Sequence, residues 1–518
     1  MSQLNKKGEV FVDYLKRLAI HETETSSRLA KVEKINVVSA GGTITAAYEH
    51  LRNAAENIDD HLLRQNAIRR FYRRILITRD EELAANSGSE LAIELTLAGY
   101  IENDSLTREQ IDRVSVLGHK FYQNYAVLLP ARATSADKLF RWILDDLAVQ
   151  VEYILADHMR DMVFADFAYG QMLALIESPG VDINDETSAL LYAAVQQALL
   201  KSNAAVVRTT LLRRFGASID DTALYIATNQ KIDRLVASDE ADRLYRLVNR
   251  QSPPLRILKR MVDSEPDIVK LLENRTQFLE NYEKAVFAEY ERVGERLNRA
   301  IVRSIIFLII TKFLVGIAIE VPYDVLMHGE IIWVPLVVNL LFPPVYMYLL
   351  RLTLRIPGYA NTSALVGRID SMLYEEKNTL TKLNLAPRRY GSMFSLSYLA
   401  ISVAMFVAII YLLLSLRFSV VHIIIFFIFV SAASFLGFRI SRNVREIELV
   451  KSAAGGVTFI RDMLYLPFVV VGQWLSDKYS KVNIVAIVLD MMIELPMKTI
   501  LRIIRQWTAF IDDRKDNI

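Results

Sequence analysis

The chain has 518 residues, is 52% hydrophobic with a mean hydropathy of +0.23, and carries a net charge of only +2. That length allows more than one structural unit. Cysteine is absent, which excludes disulfides, thiolate metal sites and cysteine nucleophiles, and the near-neutral balance argues against a strongly basic nucleic-acid-binding domain.

The charge is unevenly divided. Residues 1–299 carry 39 Lys and Arg against 44 Asp and Glu, a net −5, while residues 300–518 carry 22 against 15, a net +7. A basic back half suits a domain that faces anionic lipid headgroups. Residues 1–20 hold charges but no continuous apolar stretch and no small-residue cleavage site, so no signal peptide is expected and the front half is expected in the cytoplasm. Through 1–299 apolar residues recur at spacings of three and four, which predicts roughly eight to ten helices, with 1–251 as a large soluble helical domain. Breaks are expected at Asn86–Ser89, Pro130, Ser178–Gly180, Phe215–Ser218 and Ser252–Pro254, the last as the best internal boundary. Helix-start signals lie at Ser105 and Ser135.

Two stretches of the front half carry resemblances. Residues 38–45, centred on Gly41-Gly42-Thr43-Ile44, resemble the turn near the start of asparaginases, where the threonine is a nucleophile. On that resemblance Thr43 would be the nucleophile. The match covers eight residues, and the family's second motif, of the His-Gly-Thr-Asp type, is absent. Gly41-Gly42 is expected instead to interrupt a helix or close a hairpin, and no enzyme is expected. Tyr48–Ala55 and His61–Ile68, together with a four-span region followed by a long amphipathic helix, resemble uncharacterised helical membrane proteins of reduced-genome epibiont-type bacteria (Patescibacteria). That resemblance extends over about two-thirds of the chain and implies no activity. Within the same region Arg64, Arg69, Arg70, Arg73, Arg74 and Arg79 make a dense basic helix interleaved with Phe71, Tyr72, Ile75 and Leu76. Arg69, Arg70, Arg73 and Arg74 are candidate contacts for an anion or an anionic lipid. The bland alternative is a solvated face paired with Glu56, Asp59 and Asp60.

Between Pro266 and Pro322 there is no proline, so 267–319 is predicted as one helix running from the soluble body into a membrane, on the order of 80 Å long at 1.5 Å per residue. Leu272, Leu279, Val286, Val293 and Ala300 recur at seven along the juxtamembrane stretch 252–300. Such a seam favours a coiled coil, and hence a homo-oligomer, unless the face packs on the domain's own helices. Four segments then reach or approach the roughly 20 apolar residues that span a bilayer: 301–319, 331–350, 396–416 and 420–438. Arg292, Arg296, Arg299 and Arg303 precede the first, acids without Lys or Arg follow it, and loop 351–395 carries seven Lys and Arg. By the positive-inside rule both termini and loop 351–395 are cytoplasmic, in a multi-pass protein of the inner (cytoplasmic) membrane. Beyond residue 438, Pro467 interrupts 463–475, which reads as re-entrant or interfacial. Residues 482–511 carry a narrow polar stripe, Asp490, Glu494, Lys498, Arg502 and Arg505, on an amphipathic helix.

The predicted fold is therefore all-α: a large N-terminal cytoplasmic helical domain, a four-span transmembrane bundle and a C-terminal amphipathic helix. One polar residue stands out. Lys312 lies near the middle of the first span, where a charge costs several kcal/mol, and Asn339 of the second span lies at a matching depth as its expected hydrogen-bond partner. Pro343-Pro344, one turn further on, is expected to break the second span. Ala433-x-x-x-Gly437 offers a close-packing face on the fourth. No catalytic, cofactor-binding or metal-ligating set is expected, since the seven histidines show no ligand spacing. The leading expectation for function is a membrane-anchored scaffold or regulatory protein that binds protein partners through residues 1–299. The alternative is a small transport or channel component with an intramembrane site at Lys312 and Asn339.

Overall fold

The computed structural model describes residues 4–29, 34, 60–129, 134–176, 183–375, 391–450 and 456–481. Helices account for every named element among them, and β-pairing among them is limited to an isolated bridge between Lys34 and Thr107. The helices begin where short polar side chains can accept the unpaired N–H groups of a first turn. Asp80, Asn184, Asn203, Asp221 and Ser238 each accept from the backbone N–H three residues on. Thr107 and Gln110 form a reciprocal capping box, so the helix signalled at Ser105 starts at Arg108.

The apolar periodicity closes two large cores. The first gathers helices between residues 60 and 236 around Ile68, Phe71, Val114, Phe121, Leu147, Leu211 and Tyr225. The second begins at Leu4 and Phe11, takes in Phe164, Leu258, Phe278, Tyr282 and Val286, and continues through Leu308 to Met347 and Ala433. It joins the helical body to the membrane bundle without a gap. The expected boundary at 252–254 lies inside it. Pro253 and Pro254 occupy the first turn of helix Pro253–Ser264, where a missing N–H costs nothing, and the Pro254 carbonyl accepts from the Tyr282 hydroxyl at 2.9 Å.

The long helix starts later than its proline-free stretch allows. Ile268–Glu273 is a separate short helix, and Asn274 caps the next by accepting from the Gln277 N–H at 3.2 Å. From Arg275 the chain stays helical to His328, a 54-residue run ended by Gly329 in the left-handed region. Val286 and Val293 of the seven-residue seam are buried within the chain's own core, which they share with Leu258, Leu365 and Ile369, so intramolecular packing occupies that face. Loop 351–395 is not an open loop over its described part. Helix Tyr359–Leu373 folds back onto the body, where Arg275 holds Asp370 with two hydrogen bonds of 2.7 Å and Asn5 donates its backbone N–H to the Leu373 carbonyl.

Among the described residues four helices are long and apolar enough to cross a membrane: Arg275–His328, Trp333–Thr353, Ser392–Ser415 and Val420–Arg445. The chain is thus an all-α membrane protein. Pro343 and Pro344 sit inside a continuous second span and do not end it. Gly437 of the fourth span faces Leu350 and Met347 so closely that an added Cβ would overlap Leu350 Cδ2. The segment 463–475 also differs from expectation. It belongs to one 26-residue helix, Gly456–Lys481, with Pro467 in its interior, and Gly472 brings that helix against Ser431 and Phe435 of the fourth span. Pro467 thus does not break the helix, and the close glycine contact packs it along the fourth span. Residues 482–511 and 38–55 lie outside the described residues.

Candidate functional site

The first span carries its charge where the sequence places it, and supplies the counter-charge from the same helix. Lys312 pairs through Nζ with Glu320 Oε1 and stands 5.0 Å over the ring centroid of Phe429 from the fourth span. Eight residues on a regular helix leave two side chains about 80° apart. Here Gly316–Glu320 is a π-helical turn. Each π residue turns less than an α residue, so the turn takes back roughly that angle. Lys312, Glu320 and, four residues on, Asp324 therefore share one face directed into the bundle.

The other spans complete the cluster. Asn339 donates through Nδ2 to Glu320 Oε1 at 3.0 Å and to the His422 carbonyl at 3.2 Å. His422 stands in the first turn of the fourth span, with Nδ1 2.9 Å from Ser419 Oγ and Nε2 3.4 Å from Asp324 Oδ1. The Ile332 N–H donates to Asp324 Oδ2 at 3.0 Å, and His328 Nδ1 lies 3.7 Å from Asp324 Oδ1. Tyr323 presents its ring edge-on to both imidazoles, 6.0 Å from His328 and 6.1 Å from His422. Lys312, Glu320, Asp324, Asn339 and His422 are all at most 1% exposed, whereas the His328 side chain is 39% exposed. Glu320 Oε2, Asp324 Oδ1, Asn339 Oδ1 and His422 Nε2 have no hydrogen-bond partner among the described residues.

The charges of this cluster can be counted. Lys312 and Glu320 cancel. Asp324 is left beside His422, and that pair is neutral only when it holds one proton on either partner. Uncompensated charge in a membrane interior costs several kcal/mol, which is the electrostatic setting of this pair. The cluster thus comprises an ion pair and a protonatable dyad, with a second imidazole, that of His328, at the end of the bundle remote from the helical body.

No protein-family model, no curated protein and no solved structure matches this chain.

The two intramembrane residues singled out by sequence, Lys312 and Asn339, do meet, but not directly. Both bond the same oxygen of Glu320. Glu320 and Asp324 were read as acids of an outer turn, and the helix instead runs on through Pro322 to His328. A π turn already breaks the i→i−4 ladder beside that proline, which lets the helix accept it. The signal that could have revealed this is the spacing of Glu320, Asp324 and His328, four apart on one helical stripe.

The arginine helix of the helical body makes specific internal pairs. Arg69 meets Asp145 at 3.0 Å, Arg74 meets Glu94 at 2.5 Å, and Arg64 grips Glu152 through Nε and a terminal nitrogen at 2.6–3.1 Å. Arg73 is exposed and Arg70 half-buried. These partner acids come from other helices, while Glu56 and Asp59 lie outside the described residues. Beside Glu152, His158 lies 3.6 Å from Glu152 Oε1 and 3.8 Å from Asp161 Oδ2. Burial disfavours the imidazolium, but the two carboxylates outweigh it and push His158 up to about 9. Asp161 is desolvated in the same way, yet His158 and Lys259 hold it down at about 2. Among the described residues no group of three His, Asp or Glu converges as metal ligands.

Proposed function

We propose that this chain is a small transport or channel component whose working site is the intramembrane cluster of Lys312, Glu320, Asp324, Asn339 and His422. The observation that carries this reading is the complete burial of four ionisable side chains and an amide inside the spans. A protein that only anchors a soluble domain needs no such group, and replacing a buried ion pair by apolar residues is often neutral or stabilising. Buried intramembrane charges more often mark a path for ions or protons. We infer from the arginine flanks that the helical body and both termini lie on the cytoplasmic side of the inner membrane. The cluster then faces the opposite side.

The test is charge movement across planar bilayers containing the full chain. Currents above those of protein-free bilayers, abolished in the double variant Lys312→Met with Glu320→Leu, support the reading. Currents equal to those of bare bilayers overturn it. The scaffold reading retains one supporting observation, the single helix that joins the body to the bundle. On that reading, proteins cross-linked to residues 1–299 are the same in the wild type and in the double variant, and no current flows.

A further inference from the structure

We propose that the species handled by this site is the proton, and that it reaches the bundle interior from the end remote from the helical body along His328, Asp324 and His422. This rests on the transport reading and names its substrate. Three observations carry it. First, accessibility is graded: His328 is 39% exposed, whereas Asp324, His422, Glu320 and Lys312 are sealed from solvent. Second, the facing atoms are all proton carriers. Asp324 Oδ1 stands between His328 Nδ1 at 3.7 Å and His422 Nε2 at 3.4 Å, and both Oδ1 and Nε2 lack another partner among the described residues. Each gap exceeds hydrogen-bond length by roughly half an ångström, which a small ring rotation closes. Third, the charge count leaves room for one proton on the Asp324–His422 dyad.

The groups that face the dyad are few. Among the described residues they are, from its own helix, His328, Glu320, Lys312 and the Tyr323 ring; from the second span, Asn339; and from the fourth span, Ser419. Lys312 neutralises Glu320, so the inner end of the path does not trap a second proton. The steps balance simply. A proton from water forms an N–H bond at His328 Nδ1. It passes to Asp324 Oδ1, leaving His328 neutral, and then forms an N–H bond at His422 Nε2 as Asp324 ionises again. The Ile332 N–H bonded to Asp324 Oδ2 stabilises that ionised state. No electron is transferred.

Two measurements test this on the full chain. In liposomes holding a pH dye, a potassium diffusion potential set by valinomycin should drive internal acidification. Asp324→Asn should slow it by about 100-fold, the low end of what a positioned proton-transfer group contributes. His328→Gln should slow it less, and external imidazole should restore it, because only that carrier is exposed. Unchanged acidification in Asp324→Asn overturns the proposal. Liposomes that pass another ion but no protons also overturn it, while leaving the transport reading intact; liposomes that pass nothing overturn that reading as well. Independently of any flux, the pH profile of the His422 Nε2 resonance in ¹⁵N-histidine-labelled protein in bilayers should change in Asp324→Asn. An identical profile in the two proteins rules out a shared proton.

Discussion

Removing Lys312 alone should be far more harmful than removing it together with its partner. Lys312 contributes an ion pair to Glu320 and a cation–π contact to Phe429, and all but 1% of it is buried. Lys312→Met keeps most of the volume but strands the Glu320 carboxylate, whose other hydrogen bond among the described residues is from the amide of Asn339. Breaking a buried pair by deleting one member costs about 3–5 kcal/mol, and loss of the ring contact adds about 0.5–2 kcal/mol. The double variant with Glu320→Leu removes both charges and should recover most of that loss. The double-mutant cycle should therefore show a coupling of at least about 2–3 kcal/mol, at the upper end of the range for residues in contact. Reversible unfolding of the four proteins in mixed micelles measures it. A cost below about 1 kcal/mol for Lys312→Met would refute the argument, since it would mean that the ammonium reaches the interface in solution. A double variant as unstable as the single would show that Asp324 and His422 depend on the pair for their own placement.

Further outcomes follow from other contacts. Gly437→Val should cost about 1–3 kcal/mol by overpacking, because its side chain would enter the space of Leu350 Cδ2; Leu350→Ala in the same protein should relieve part of that loss, read as thermal stability in micelles. Asn361 donates to the Tyr290 hydroxyl and the Ile447 carbonyl and accepts from the N–H groups of Leu449 and Val450, all within 3.0 Å. Asn361→Ala leaves several of these buried groups unpaired at about 1–3 kcal/mol each, so hydrogen exchange should rise at 359–373 and 447–450 but not at 108–128. His158 has its folded-state value raised from 6.5 to about 9. Its contribution is fully present below pH 6.5 and is lost as pH rises through about 9, at most about 3 kcal/mol. His158→Gln should flatten the fall in unfolding free energy over that interval. Finally, a reporter fused after Ile518 should be found on the cytoplasmic side.

Much of the architecture is local and therefore legible. Four apolar runs of bilayer length read out directly as four helices, since backbone groups in hydrocarbon have few ways to be satisfied. Cap residues such as Thr107 and Asn274 act within one turn, though they moved the predicted starts by a few residues. The Ala433–Gly437 face was visible because two small residues on one helical face admit a neighbouring backbone. What proline does inside a span was not legible. Pro322, Pro343, Pro344 and Pro467 all sit within helices, because packing against neighbouring spans outweighs the lost hydrogen bond. The candidate site was half visible: Lys312 and Asn339 stand out as polar residues in apolar runs, whereas Glu320 and Asp324 looked like the acids of an ordinary outer turn.

Sequence alone therefore determined the division of the chain, the helical class and the presence of a costly charge at Lys312, because hydropathy and helical period are properties of neighbouring residues. Tertiary structure decided what that charge is for. A π turn rotates Glu320 onto the same face as Lys312, and the fourth span brings His422 to Asp324 across almost a hundred residues. Neither event leaves a mark within a single window of sequence. Once the spans pack, no water remains to screen these groups, and they must neutralise one another.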